Sequence, residues 1–358
     1  GKKPPLNIKF EIIIKIILHI ITPIIGIIFF LTGIIFSGNI ATLLGANKQV
    51  YHMTSIYLKV LLMFGPAFVL NNVMNAFVRN DGNPKLSMIA MLVGSFGNII
   101  LDYLLVIKFS MGMFGAVLAT GFSPIMGLMV LSGHIVSENS NIKFKVAKIR
   151  ASFIKSIIML GIPSFVAEMS SGIVIFVFNI IILGLQGNVG VAAYGVITNL
   201  ALVVISIYTG VAQGSQPLFS AAYGKNDKKM QKQLFKYAIT AVTLISIVIY
   251  AVVLFANPIT SVFNGEGNMQ LQAIAVKGMY LYFTSILFIG MNIVMATYFA
   301  AREKVIPSYI ISFGRGFVVI IPMAFIMSSL WKMTGVWLAM TVTEGIIAAV
   351  GVALIKKA

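Results

Sequence analysis

Cysteine is absent from the 358 residues. That excludes a disulfide framework and any metal held by thiolates. Charge is scarce: 10% of the residues are charged, where a soluble domain carries about a quarter. Acidic residues are scarcer still, nine against 26 basic ones. The alternating polar and apolar pattern of a membrane β-barrel is missing. The sequence shows no nucleophile–base pair, metal-ligand cluster or phosphate-cradling loop, so it reads as no enzyme and implies no cofactor. The charged start runs into a full-length apolar span without a small-residue cleavage site, so no cleaved signal peptide is expected.

What the sequence has instead is apolar length. It is 59% hydrophobic with a mean hydropathy of +1.00. The fold class that follows is an all-α polytopic membrane protein. Ten spans can be read, near 10–36, 57–78, 86–107, 113–136, 153–184, 190–215, 234–256, 273–299, 306–328 and 334–355. Pro23, Pro66, Pro124 and Pro322 fall inside spans, where each frees a carbonyl and permits a kink.

The net charge of +17 would suggest nucleic acid in a soluble chain. Here the cations sit in short loops between spans, and no nucleic-acid partner is expected. One alternating set of loops and ends holds most of them, including Lys2, Arg79, Lys143, Lys225, Arg302 and Lys356. The other set holds Lys48, Lys108, Lys277 and Lys332. The bias predicts cytoplasmic chain ends and a cytoplasmic 137–152 segment, in a plasma membrane crossed many times.

The chain repeats itself. RNDGNPK at 79–85 returns loosely as REKVIPS at 302–308, YLKV at 57–60 as YLYF at 280–283, and GAVLAT at 115–120 as GVWLAM at 335–340. The offset is nearly the same in each case and covers six spans, so the halves are parallel repeats. The same offset sets Gly1 on Gly224 and leaves 153–223 without a partner. Two further spans ahead of Gly1 would complete the symmetry. Three domains follow: 1–136, an incomplete four-helix first lobe; 137–152, a basic cytoplasmic linker; and 153–358, a complete six-helix second lobe.

Asp102, Glu168 and Glu344 are the carboxylates inside spans; Asp81 and the remaining acids read as solvated charges at span ends or in loops. A carboxylate in hydrocarbon is costly and usually faces a protein or water-filled interior. Asn98 lies four residues before Asp102 on the same helical face. The next span turns back after about five residues, which brings Thr120 to similar depth. Oxygens of these kinds suit Na⁺, and the carboxylate alone suits a proton; the alternative is a structural Asp102–Thr120 hydrogen bond. Glu168, Gly172, Ile175 and Asn179 share a stripe expected to face the bundle interior, as a substrate or proton site or as a buried hydrogen-bonded group. Met291, Met295 and Tyr298 share another, which either lines a substrate cavity or packs. Arg315 and Glu344 fall at comparable depth on consecutive antiparallel helices and are expected to form a structural ion pair. His19 and His134 read as interfacial, and His52 as a loop residue.

RNDGNPK at 79–85, NIILD at 98–102, VAAYG at 191–195, QGSQP at 213–217 and AYGKNDKK at 222–229 occur in order and without insertion. With these motifs the chain resembles the multidrug and toxic compound extrusion (MATE) family. The resemblance implies the fold of the MOP superfamily, twelve helices in two six-helix lobes, of which about ten are here. It implies Na⁺- or H⁺-coupled antiport of lipophilic or cationic drugs by alternating access. In some members a first-lobe cation site uses an Asn, an Asp and a Thr that match Asn98, Asp102 and Thr120, with an Asp on a first helix that has no counterpart here. It also implies a coupling role for an acidic residue on the helix that carries Glu168. The partners expected are the bilayer and organic-cation or amphiphilic drugs, with the chain acting as a monomer. Two alternatives stay open: a lipid-linked oligosaccharide flippase of the same superfold, and a non-transporting fragment.

Overall fold

The computed structural model describes residue 17 and residues 21–43, 51–136, 151–265 and 267–357. The predicted linker 137–152 therefore lies almost wholly outside the described residues, as do His19 and Glu266. Among the described residues there is no strand. The helices group into two compact units that divide between Lys155 and Ser156.

The first unit holds α1 (Thr22–Leu43), α2 (Tyr51–Met63), α3 (Gly65–Asn80), α4 (Pro84–Asp102) and α5 (Gly112–Val136). Helix α1 shows the solvent for which this chain is built. Its buried residues are Thr22, Gly26, Gly33, Ser37 and Ala41, while Ile27, Ile28, Leu31, Ile35 and Phe36 are exposed. Small residues inside and large apolar ones outside is the reverse of a water-soluble helix. It suits lipid, where close backbone packing drives association and lipid tails receive the large side chains. Helices α2 and α3 form one span bent by 46°. Pro66 accounts for the bend, because it has no N–H to donate and its ring crowds the turn before it.

The second unit holds α6 (Ala151–Gly224), α7 (Lys228–Val253), the short α8 (Ala256–Val262), α9 (Met269–Tyr282), α10 (Ile286–Ala301), α11 (Val305–Phe313) and α12 (Ile320–Lys356). Two of these double back. In α6, Gly187 has φ 62° and ψ −157°, a conformation open essentially to glycine alone. Phe178 and Tyr194 consequently stack at 5.6 Å, though the same stretch as straight helix would set them about 24 Å apart. In α12 the break is at Trp331 and Lys332, after which Gly335 meets the Met327 carbonyl. Helices α9 and α10 run on as one span, and α11 runs on into the first leg of α12. With α6 and α12 each split at its break and α2–α3 taken as one, the described residues show ten long legs, the first running Thr22–Leu43 where the sequence reading put 10–36. Among the described residues, seven stretches of helix are long and apolar enough to cross a membrane, or eight with the bent pair.

The core of the second unit is aromatic. Trp337, Tyr194, Tyr208, Phe178 and Phe219 are all buried. Tyr208 and Ser246 join their hydroxyls at 2.6 Å and tie α6 to α7. Helices α9 and α10 meet through a 3₁₀ turn, Phe283–Ser285.

Candidate cation site

The RNDGNPK turn launches the helix that carries Asp102. Asn83 caps α4, its Oδ1 accepting from the Leu86 N–H at 3.2 Å. Pro84 follows at the first helical position, where a missing N–H costs nothing. From there one stripe of α4 turns inward through Ser87, Ala90 and Gly94, all buried, to Asn98 and Asp102, both half-buried. The stripe packs on α5. At Gly94 the two helices pack tightly: Ser123 Oγ donates to its carbonyl at 2.9 Å, and a Cβ there would lie 3.0 Å from the Ser123 carbonyl.

Asp102 is the last residue of the α-helical stretch. Tyr103–Lys108 widens into a π-helical turn. Such turns are rare and concentrate at functional sites. Among the described residues Asp102 makes no hydrogen bond or ion pair. The Nδ2 of Asn98, one turn away, is buried without a partner among them. Thr120 is half-buried and spends its proton on the Ala116 carbonyl at 3.0 Å, leaving its oxygen free to accept. The Asp102–Thr120 clamp is therefore not formed.

Arg315 and Glu344 are brought together. Arg315 Nε and Nη2 both donate to Glu344 Oε1, at 3.0 and 2.8 Å. Asn292 Nδ2 donates to Glu344 Oε2 at 2.6 Å and to the Glu344 carbonyl at 2.9 Å. Glu344 and Asn292 are fully buried. Arg315 lies in a second π-helical turn, Gly314–Val318. Sequence reasoning missed Asn292, because an amide inside a span carries no charge to draw attention.

Two expectations are corrected: the surroundings of Glu168 and those of Asp81 and His134. Glu168 is exposed rather than turned into its unit's interior; Gly172, Ile175 and Asn179 on the same stripe are not buried either. The buried stripe of that leg runs through Val166, Ser170, Val174 and Phe178 instead, and the Ser170 hydroxyl bonds to the Val166 carbonyl. Met295 and Tyr298 are buried in their own unit. Met295 packs on Gly351, with Met291 against the same cluster. The Tyr298 ring meets Phe219 and Phe235 at 5.2 and 4.7 Å and lies beneath the Arg302 guanidinium. Asp81 and His134 are neither solvated nor interfacial: both are buried, with His134 Nε2 2.8 Å from Asp81 Oδ2. Their positions before and after one hairpin were the available signal, since they put both at the same end of neighbouring helices. A cavity of about 730 Å³ does occur in the second unit, beside Asn257, Asn264, Gln272, Lys277 and Tyr280, and holds none of the predicted site residues.

Comparison with known proteins decides the family. The MatE family model matches residues 1–104 and 163–326. The chain belongs to the MATE family. This is a family of transporters, not enzymes. Multidrug export protein MepA of Staphylococcus aureus (strain bovine RF122 / ET3-1) is 29% identical over 326 residues, covering 90% of this chain and 71% of that protein. MepA of Staphylococcus saprophyticus is 28% identical over 328 residues, 91% of this chain and 72% of its own length. A solved outward-facing multidrug resistance MATE transporter of the MOP superfamily superposes with a TM-score of 0.87 at 22% identity, covering 98% of this chain and 84% of that one. This MATE chain is thus a MepA-like, multi-pass membrane transporter that shares the fold of that solved structure.

Proposed function

We propose that the chain exports lipophilic or cationic drugs across a bacterial plasma membrane in exchange for Na⁺ or H⁺, by alternating access, as a monomer with both ends in the cytoplasm and without a cofactor. Export of drugs is what its MepA relatives are named for. The observation that carries the coupling is Asp102: a half-buried carboxylate within a span, at the edge of a π turn, without a fixed counter-charge among the described residues. In hydrocarbon such a charge calls for a mobile cation or a proton. Asn98, one turn before Asp102 on the same helix, and Thr120, whose hydroxyl oxygen keeps free lone pairs, offer the further oxygens. Occupancy would drive transport only by binding one conformation better than the other, and a bound cation on Asp102 supplies that difference. Glu168, an exposed carboxylate on the first leg of α6, serves as a candidate contact for cationic substrate or for coupling.

The flippase reading would draw on intramembrane cations. Arg315 is the one that lies deep in a span rather than toward its end, and Glu344 already neutralises it. That favours the antiporter.

The test is resistance. In cells expressing the full-length protein, Asp102→Asn abolishes resistance to lipophilic cations at unchanged protein level in the membrane. Undiminished resistance would remove Asp102 from the mechanism.

A further inference from the structure

The RNDGNPK turn also carries a buried acid–imidazole pair that drug export does not use. His134, near the end of α5, sits between two residues of that turn. Its Nε2 is 2.8 Å from Asp81 Oδ2, and its Nδ1 is 3.4 Å from Asn83 Nδ2. His134 and Asp81 are both buried.

The cap of α4 fixes the protonation pattern. Asn83 Oδ1 accepts from the Leu86 N–H, so its amide nitrogen must be the atom that faces His134. An amide N–H can only donate, so Nδ1 must accept and carry no proton. Nε2 then bears the hydrogen and donates it to Asp81. With its one proton on Nε2 the imidazole is neutral.

We propose that His134 is a proton-binding site whose occupancy uncaps α4, the helix that carries Asn98 and Asp102. A proton taken up on Nδ1 sets two donors against each other at the Asn83 contact. Asn83 must turn away, and turning it takes Oδ1 off the Leu86 N–H. The Nε2–Asp81 contact survives and strengthens as imidazolium against carboxylate. Acid therefore loosens the start of α4 while the α5 end stays tied to Asp81. This holds whether or not Asp102 couples transport.

The charged surroundings are few. Arg79 and Lys85 flank the turn, and both Arg79 and Asp81 have further interactions of their own. Helix α5 has no other titratable side chain, and α1 has none. Tyr51, His52, Tyr57 and Lys59 belong to α2, the far leg of the bent span that ends near Arg79. Asp102 stands at the opposite end of α4 from Pro84. Glu138 and the basic residues after it lie outside the described residues.

The test uses the full chain with ¹⁵N-labelled histidine in lipid nanodiscs. The sequence has three histidines, so His19→Gln, His52→Gln and His134→Gln assign every signal. At pH 7.5 His134 is expected as the neutral Nε2–H tautomer. As pH falls through its midpoint, hydrogen-exchange protection of the Leu86 amide, corrected for intrinsic rate, is expected to drop tenfold or more. Asn83→Asp keeps a capping oxygen and offers imidazolium an acceptor, so it raises the midpoint by about one pH unit or more. Asn83→Ser keeps the cap without the amide donor and raises it less. A neutral Nδ1–H tautomer or an imidazolium at pH 7.5, unchanged Leu86 protection through the midpoint, or a midpoint indifferent to both Asn83 variants would each overturn the proposal.

Discussion

Arg315 and Asn292 hold the two oxygens of Glu344 from opposite sides, the guanidinium at 2.8 and 3.0 Å on Oε1 and the amide at 2.6 Å on Oε2. The three lie on α10, the π turn after α11, and the second leg of α12. They lock those legs together with every carboxylate oxygen engaged. Asp102, by contrast, has no fixed partner among the described residues. The two carboxylates thus differ in one respect: among the described residues Glu344 is paired and Asp102 is not.

Removing one member of that lock should leave an uncompensated buried charge. Arg315→Leu or Glu344→Leu is expected to cost about 3–5 kcal/mol, and the double variant less than either single one. Thermal unfolding of the four proteins in one detergent checks this. Additive losses would show that the pair is not coupled.

Met295 and Tyr298 are packed in the core of their unit. Met295→Ala should destabilise by about 2–5 kcal/mol, the cost of a cavity in a tight core. The rank order of exported substrates should stay the same. A changed substrate profile at unchanged stability would restore them to the transport site.

The two hairpin breaks differ in one residue type. Gly187 sits at φ 62° without a side chain to strain, whereas Lys332 holds φ 49° and ψ −130° with one. Gly187→Ala should lower stability by about 1–3 kcal/mol. Lys332→Gly should leave it unchanged or raise it, as relieved strain offsets the added chain entropy of glycine. Melting temperatures of both variants decide the matter, and a sharp loss for Lys332→Gly would show that its side chain, not its backbone, matters.

Close packing at Gly94 yields another test. Gly94→Val places a branched side chain against the Ser123 backbone and should cost about 1–3 kcal/mol. Ser123→Ala removes only the hydrogen bond to the Gly94 carbonyl, at about 1 kcal/mol. A harmless Gly94→Val would mean that α4 and α5 do not need this approach.

The helical, membrane-spanning character was legible because apolar length is a local property. Asp102, Arg315 and Glu344 were legible for the same reason: a charge inside an apolar run stands out. Asn292 was not, since nothing in its own span distinguishes it from any amide. The π turns after Asp102 and around Arg315 were invisible, because the backbone widens there under tertiary packing, not a residue signal. Periodicity set Met295 with Tyr298 and Glu168 with Asn179, but it cannot say what covers a face. In the structure the first pair is covered by its own unit, and Glu168 is not. Asp81 looked solvated because it sits in a polar turn; His134, from the far end of α5, is what buries it.

The most direct test of the central claim uses proteoliposomes of the full-length protein, wild type and Asp102→Asn, loaded with a fluorescent lipophilic cation. Under an imposed Na⁺ or pH gradient the wild type should move the dye against its own gradient. The variant should lose that concentrating ability at least tenfold, while still exchanging labelled for unlabelled dye without a gradient. Gradient-driven accumulation by Asp102→Asn at the wild-type level would show that the driving ion is held elsewhere.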